Sequence, residues 1–229
     1  METVIAKNLE NVLSEIAEAE RLSHRAPGSV ELVAVSKSHP VELIREAFEA
    51  GQVVFGENRV QEAKAKIPEL PAKLRWHLIG HLQSNKVRQA LPLFEIIHGV
   101  DSVGLLHDIA RVSSEFGSFP RVLLQVNVAG EASKFGFSPE NLLAQLDEIA
   151  QVDRIQLEGL MTIPPLTPRP EQARPYFARL RELRTRLEQE FRFPLPHLSM
   201  GMSGDYRVAI EEGATIVRVG TAIFGERRK

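Results

Sequence analysis

The sequence predicts a (β/α)8 barrel of the TIM type with one extra helix at its N-terminus, spanning residues 1–229 as a single domain. Three observations predict it. Strand-like apolar runs alternate with helical patterns along the chain, which implies right-handed βαβ units and a parallel sheet. Several runs, such as VLLQVNV at 122–128, are almost continuously apolar, as parallel strands buried on both faces are. Eight such units fall within about 200 residues, the low end of the size range of this barrel. A doubly wound open sheet is the alternative, but it does not need eight units, and no GxGxxG follows any of the strands.

The elements follow in order. Ile5, Leu9, Val12, Leu13 and Ile16 recur at helical spacing and place one apolar stripe on an opening helix, which the turn APGS at 26–29 ends. Strands are expected at 30–36, 53–55, 74–79, 94–100, 121–128, 155–163, 196–200 and 215–220. Helices are expected between them at 41–50, 58–66, 83–91, 103–116, 139–149, 171–191 and 203–212. The proline-rich stretch IPPLTPRPEQARP at 163–175 reads as a long loop at the barrel mouth and not as a domain boundary. In RLRELRTRLEQE, 179–190, charges of both signs surround Leu180, Leu183 and Leu187, the pattern of a solvated amphipathic helix.

Composition narrows the function. A net charge of -2 supplies no basic field for nucleic acid or anionic membrane. With no cysteine, a thiol nucleophile, a disulfide scaffold and a zinc–thiolate site are all excluded. No apolar run reaches the roughly 18 residues of a membrane span, and METVIAKNLENV is amphipathic rather than a signal peptide, so a cytoplasmic protein is expected.

Active sites of such barrels lie where strands end and the following loops begin. Here those ends gather polar and small residues: Lys37, Glu57 with Asn58, WHLIGHLQSNK, Asn127, Met161 with Thr162, LSMGMSGD and VRVGTAIFG. The last two suit a phosphate site, with glycines for close backbone approach, hydroxyls on Ser199 and Thr221, and helix starts near Ser203 or Thr221. Lys37 ends an apolar strand, and a partly desolvated lysine favours the neutral amine that forms Schiff bases with carbonyls. A Schiff-base lysine with a phosphate cup fits either an aldolase acting on a sugar phosphate or a pyridoxal 5′-phosphate (PLP) protein. Arg218 lies two residues before Gly220 in strand eight, and an arginine beside a pyridine nitrogen would leave the ring unprotonated. A structural salt bridge is the other reading of Arg218. His77 and His81 stand four apart on a strand end, without an HExxH, so no metal site is expected.

LVAVSKSHP, FGENRVQE, WHLIGHLQSNK, GLMTIPP, LSMGMSGD and VRVGTAIFG together resemble the PLP homeostasis proteins, the YggS/PROSC family, in order over about residues 3 to 226. The resemblance implies a barrel similar to the N-terminal domain of fold-type III alanine racemase. It implies PLP held as an aldimine on Lys37, phosphate contacts from Ser199, Gly220 and Thr221, Arg218 facing the pyridine nitrogen, and Asn58 lining the pocket. Arg59 and His81 depart from the tyrosine and proline that some members carry, which touches only the pocket rim. Lys134 resembles a lysine of a secondary contact loop. The function implied is intracellular PLP (vitamin B6) and amino-acid homeostasis by a monomer, with PLP-dependent apo-enzymes as recipients. Related racemases take a second base, a tyrosine, from a further domain of a partner subunit. Of the two tyrosines, Tyr176 reads as a packing residue and Tyr206 approaches from the wrong side, so no catalytic residue is assigned. A small amino-acid racemase and a Schiff-base aldolase remain the alternatives.

Overall fold

In the computed structural model, which describes residues 3–131 and 134–226, eight parallel strands close into a barrel in sequence order. They are β1 (Glu31–Val35), β2 (Val54–Glu57), β3 (Arg75–Leu78), β4 (Ile96–Val100), β5 (Arg121–Gln125), β6 (Gln156–Met161), β7 (His197–Met202) and β8 (Ile216–Val219). β1 pairs with β8 from Glu31–Ile216 to Ala34–Val219, which closes the ring. The helices are α1 (Val4–Leu22), α2 (Val41–Glu49), α3 (Val60–Lys66), α4 (Val87–Ala90), α5 (Val103–Phe116), α6 (Pro139–Ala144), α7 (Leu146–Ala150), α8 (Arg174–Phe191), α9 (Tyr206–Glu211) and α10 (Thr221–Phe224).

Each strand divides its side chains between two cores by simple alternation. Leu32 and Ala34 join the large outer core under the helices, while Val33 and Val35 join Val54, Ile79, Ile96, Leu123, Met161 and Ile216 inside the barrel. Apolar side chains thus pack much of the inside, which is not a pore. Its N-terminal mouth is closed by a chain of ion pairs that runs from strand to strand. Arg75 bonds Glu31 at 3.3 Å and Glu95 at 2.6 Å, and Arg121 bonds Glu95 at 2.6 Å and Glu158 at 2.7 Å. With that end plugged by charge, only the C-terminal mouth is left to hold a ligand.

α1 is capped by Thr3 Oγ1, which accepts from Ala6 N at 3.2 Å, and buries Ile5, Leu9, Val12, Ile16 and Ala19. Leu13 is exposed, which corrects the expected stripe: the buried positions step by four and three, and Leu13 lies one residue, about 100° of helix, off that line. Two expected helices are broken. The segment 83–91 is a 3-10 turn, Ser84–Lys86, followed by α4, and the segment 139–149 splits into α6 and α7 at Gln145, where ψ swings to 13°. The proline-rich segment passes through a short 3-10 turn, Pro170–Ala173, into α8, which buries Phe177, Leu180, Leu183 and Leu187.

Close packing at the strand tips needs small residues. A Cβ on Gly80 would come within 2.3 Å of the Asn58 carbonyl oxygen. Gly80→Ala must therefore push the end of β2 away from β3, and we expect a stability loss of about 1–3 kcal/mol together with weaker ligand binding at the mouth. Urea unfolding and a ligand titration check this; unchanged values in both would show that the wall yields freely.

Candidate functional site

A cavity of 610 Å³ opens at the C-terminal mouth, within the usual size of small-molecule sites. Five of the six residues singled out in the sequence line it: Lys37, Asn58, Arg218, Gly220 and Thr221.

Lys37 is partly buried and lies two residues past the end of β1, after Ser36. Its two neighbours are tied down on the outer side of the barrel. Ser36 Oγ donates to Glu57 Oε1 at 2.7 Å, and Ser36 O accepts from Lys66 Nζ at 2.9 Å. Ser38 N donates to Glu62 Oε1 at 2.5 Å, and Ser38 takes a left-handed φ of 63° that turns the chain toward α2. Lys66 also bonds Glu57 Oε1 at 2.9 Å and Glu62 Oε1 at 2.6 Å. Glu57 is fully buried, and that burial holds its carboxyl above the usual range against the pull of Lys66.

The serine expectation needs correcting. Ser199 is 0% exposed and lies inside β7, where its hydroxyl meets His98 and Arg218, so it is not part of the cavity wall. The serine that reaches the mouth is Ser203, four residues further along in the turn after β7. Its Oγ accepts from Gly220 N at 3.2 Å and Ala222 N at 3.4 Å, which braces the loop after β7 against the loop after β8. The stretch LSMGMSGD contains both serines; four residues apart, they share a side of an alternating strand, and only their depth along the barrel separates them.

Arg218 is 3% exposed and forms part of the cavity floor. Its Nη1 donates to Ser199 Oγ at 2.5 Å and its Nη2 to Thr162 O at 2.9 Å. Burial lowers its pKa to about 10, while Asp205 pulls the other way, so it stays cationic at neutral pH. Asp205 is itself a cavity residue, accepts from Met202 N at 2.7 Å, and has its own carboxyl pushed up by burial.

The rim adds Gln125 and Phe135, which the sequence did not assign, to His81 and the proline-rich loop, which it placed there. Gln125 Nε2 donates to Phe135 O at 3.1 Å, and Phe135 stacks on His81 with ring centroids 4.0 Å apart. His81 Nδ1 lies 2.8 Å from Asp101 Oδ2. From the proline-rich loop, Ile163, Pro165, Leu166 and Thr167 cover one side, with Leu166 95% exposed. Lys134 bonds Glu131 Oε1 at 2.9 Å and Pro164 O at 3.1 Å and lines a separate cavity of 260 Å³ beside the main one, which Asn127 also lines. Tyr206 follows the cavity residue Asp205 but does not itself line the cavity: its hydroxyl donates to Glu15 Oε2 of α1 at 2.6 Å, and burial raises its pKa. Tyr176 packs against the outer core. Among the described residues there is no cluster of three or more His, Asp or Glu side chains placed to hold a metal ion, and no helix long and apolar enough to cross a membrane.

Comparison with known proteins adds three findings. The family described as alanine racemase, N-terminal domain, matches residues 12–228. The chain is 45% identical to the pyridoxal phosphate homeostasis protein of Aquifex aeolicus, over 97% of this chain and 98% of that one, and 43% identical to the protein of the same name from Vibrio cholerae, over 97% and 96%. Among solved structures, it is similar to PipY of Synechococcus elongatus with PLP bound, at 45% identity and a TM-score of 0.81 over 92% of this chain and 100% of that one. Alanine racemase of Clostridium difficile, 14% identical with a TM-score of 0.75, shares the fold over 97% of this chain and 58% of its own. A closed barrel with a lysine at the tip of its first strand, matched over nearly its full length by these relatives, leaves one conclusion: the chain belongs to the pyridoxal phosphate homeostasis protein family and carries the alanine racemase N-terminal domain.

Proposed function

We propose that this chain binds pyridoxal 5′-phosphate in the mouth of the barrel, on Lys37, and buffers or hands over the cofactor in the cytoplasm without turning over an amino acid. The observation that carries the reading is the meeting of Lys37, Arg218, Ser203, Gly220 and Thr221 on one 610 Å³ cavity. That donor set fits the cofactor: an amine for its aldehyde, hydroxyl and backbone donors beside two glycine-containing loops for its phosphate, and a cation on the floor. When bound, PLP supplies an aldehyde carbon that condenses with a primary amine and a ring that draws electrons from it. Lys37 offers the amine, and the Ser36–Glu57–Lys66 and Ser38–Glu62 bonds hold it at the mouth. Ser203, Gly220 and Thr221 orient the phosphate. Arg218 presents hydrogen-bond donors only, so it takes up no proton from the ring. Neither tyrosine lines the cavity, which supports a carrier over a racemase, because racemisation needs a second base at the α-carbon. PLP-dependent apo-enzymes would be the recipients, and the chain would act as a monomer folded as one unit.

Borohydride treatment of the PLP-loaded protein should leave a pyridoxyl group on Lys37, and Lys37→Ala should abolish it. Peptide mapping that finds the adduct on Lys134 instead would move the site. With L-alanine in D₂O, the α-proton should persist; washout at about 1–10³ s⁻¹ would make this protein an enzyme.

A further inference from the structure

Beneath the cavity, four buried side chains from four strands form a line of hydrogen bonds that crosses the barrel interior. Arg218 Nη1 meets Ser199 Oγ at 2.5 Å, Ser199 Oγ meets His98 Nδ1 at 2.9 Å, and His98 Nε2 meets His77 Nδ1 at 3.1 Å. His77, His98 and Ser199 are each 0% exposed. We propose that this line is a one-way relay in which Ser199 and His98 are positioning residues for Arg218, and in which Arg218 in turn fixes the tautomers of both histidines.

The direction follows from the donor inventory. A guanidinium donates and cannot accept. Ser199 Oγ therefore accepts from Arg218, and its one hydroxyl proton points to His98 Nδ1. His98 Nδ1 is then an acceptor, so the ring carries its proton on Nε2 and donates it to His77. His77 Nδ1 accepts in the same way, which puts the proton of His77 on Nε2. That atom has no hydrogen-bond partner, so the relay ends there on a buried, unsatisfied donor. The reversed order, in which His98 Nδ1–H donates to the second lone pair of Ser199 Oγ, would leave the buried Ser199 hydroxyl proton without an acceptor and His77 Nε2 an unpaired acceptor, two unsatisfied groups against one. Burial supports the assignment: it lowers the pKa of His77 to about 3 and that of His98 well below its ordinary value, so both rings are neutral imidazoles at neutral pH.

The consequence lies at the floor of the site. Ser199 and the Thr162 carbonyl take one N–H from each end of the guanidinium, and this fixes its plane relative to the cavity that it lines. A ligand atom resting on Arg218 meets a cation that neither rotates away nor accepts a proton. Only this last point rests on the cofactor reading above; the relay itself needs no ligand.

The first experiment uses the unloaded, ¹⁵N-labelled full chain at pH 7. Long-range ¹H–¹⁵N correlation spectra should show His77 and His98 both neutral and both protonated at Nε2. A proton on Nδ1 of His98 would overturn the relay. The second compares Ser199→Ala with Ser199→Thr. The alanine variant should leave His98 free to populate both tautomers and raise the dissociation constant for PLP about tenfold, the order expected for one lost hydrogen bond to a charged group. It should also shift the visible band of the bound cofactor. Threonine keeps the hydroxyl and should restore all three readings. An alanine variant with weaker binding but unchanged His98 would make Ser199 a packing residue and sink the proposal. The expected tautomers in a protein that binds no PLP at all would overturn the cofactor reading and support the relay.

Discussion

Lys66→Met is expected to lower the unfolding free energy by about 3–5 kcal/mol at pH 8, the cost of leaving one member of a buried ion pair behind. Glu57 is fully buried, and Lys66 Nζ, 2.9 Å away, is the cation that pairs with it. Removing Lys66 also strips a partner from the Ser36 carbonyl, next to Lys37. The remaining carboxylate has one escape, which is to take up a proton, and burial already holds its pKa above the usual carboxylate range. A folded-state pKa raised above the unfolded value means that the native protein binds the extra proton, so stability falls as pH rises through it. The deficit of Lys66→Met should therefore shrink toward pH 5. Glu57→Gln in the same chain should recover much of the loss, because a neutral amide replaces the stranded charge. Chemical denaturation of the three proteins at pH 5 and pH 8 decides the matter. A single-variant loss below about 1 kcal/mol at pH 8 would show that water reaches Glu57 and that the pair behaves as a surface one.

Acid should unfold this protein through its interior histidines. Burial lowers the pKa of His77 to about 3 and pushes that of His98 down as well. Between those values and the ordinary histidine value near 6.5, the unfolded chain binds protons that the folded barrel refuses. Stability from a depressed group is complete above the unfolded pKa and declines as pH falls toward the folded one. Each histidine then removes roughly 1.4 kcal/mol per pH unit below about pH 6. Two such groups acting together remove several kcal/mol by pH 4.5, a large part of the stability of a typical domain. His77→Gln keeps a polar group at the end of the relay and takes away one titrating site. It should flatten the fall between pH 6 and pH 4.5 by about half. Equal slopes in the two proteins would mean that carboxylates, not the barrel histidines, set the acid limit.

Much of the architecture was legible in the chain, because it rests on local rules. Continuous apolar runs such as 122–128 and helical stripes such as Ile5–Leu9–Val12–Ile16 report burial directly, and eight alternating pairs admit few closed topologies. Lys37, Asn58, Arg218, Gly220 and Thr221 could be placed on one cavity because every strand of a parallel barrel ends at the same mouth. Only the tertiary structure decided between Ser199 and Ser203. The choice depends on how far β7 runs before its turn: the strand carries Ser199 down into the floor and ends just before Ser203, which is left at the rim. The floor itself was also out of reach. His77, His98 and Ser199 are 21 and 101 positions apart along the chain, and nothing local links them; strand register and barrel closure bring them into one line. The same holds for Glu57 and Lys66. Glu57 could be placed at a strand end from the sequence, but its pairing with Lys66 appears only when α3 folds back over β2 and shuts the carboxylate away from water.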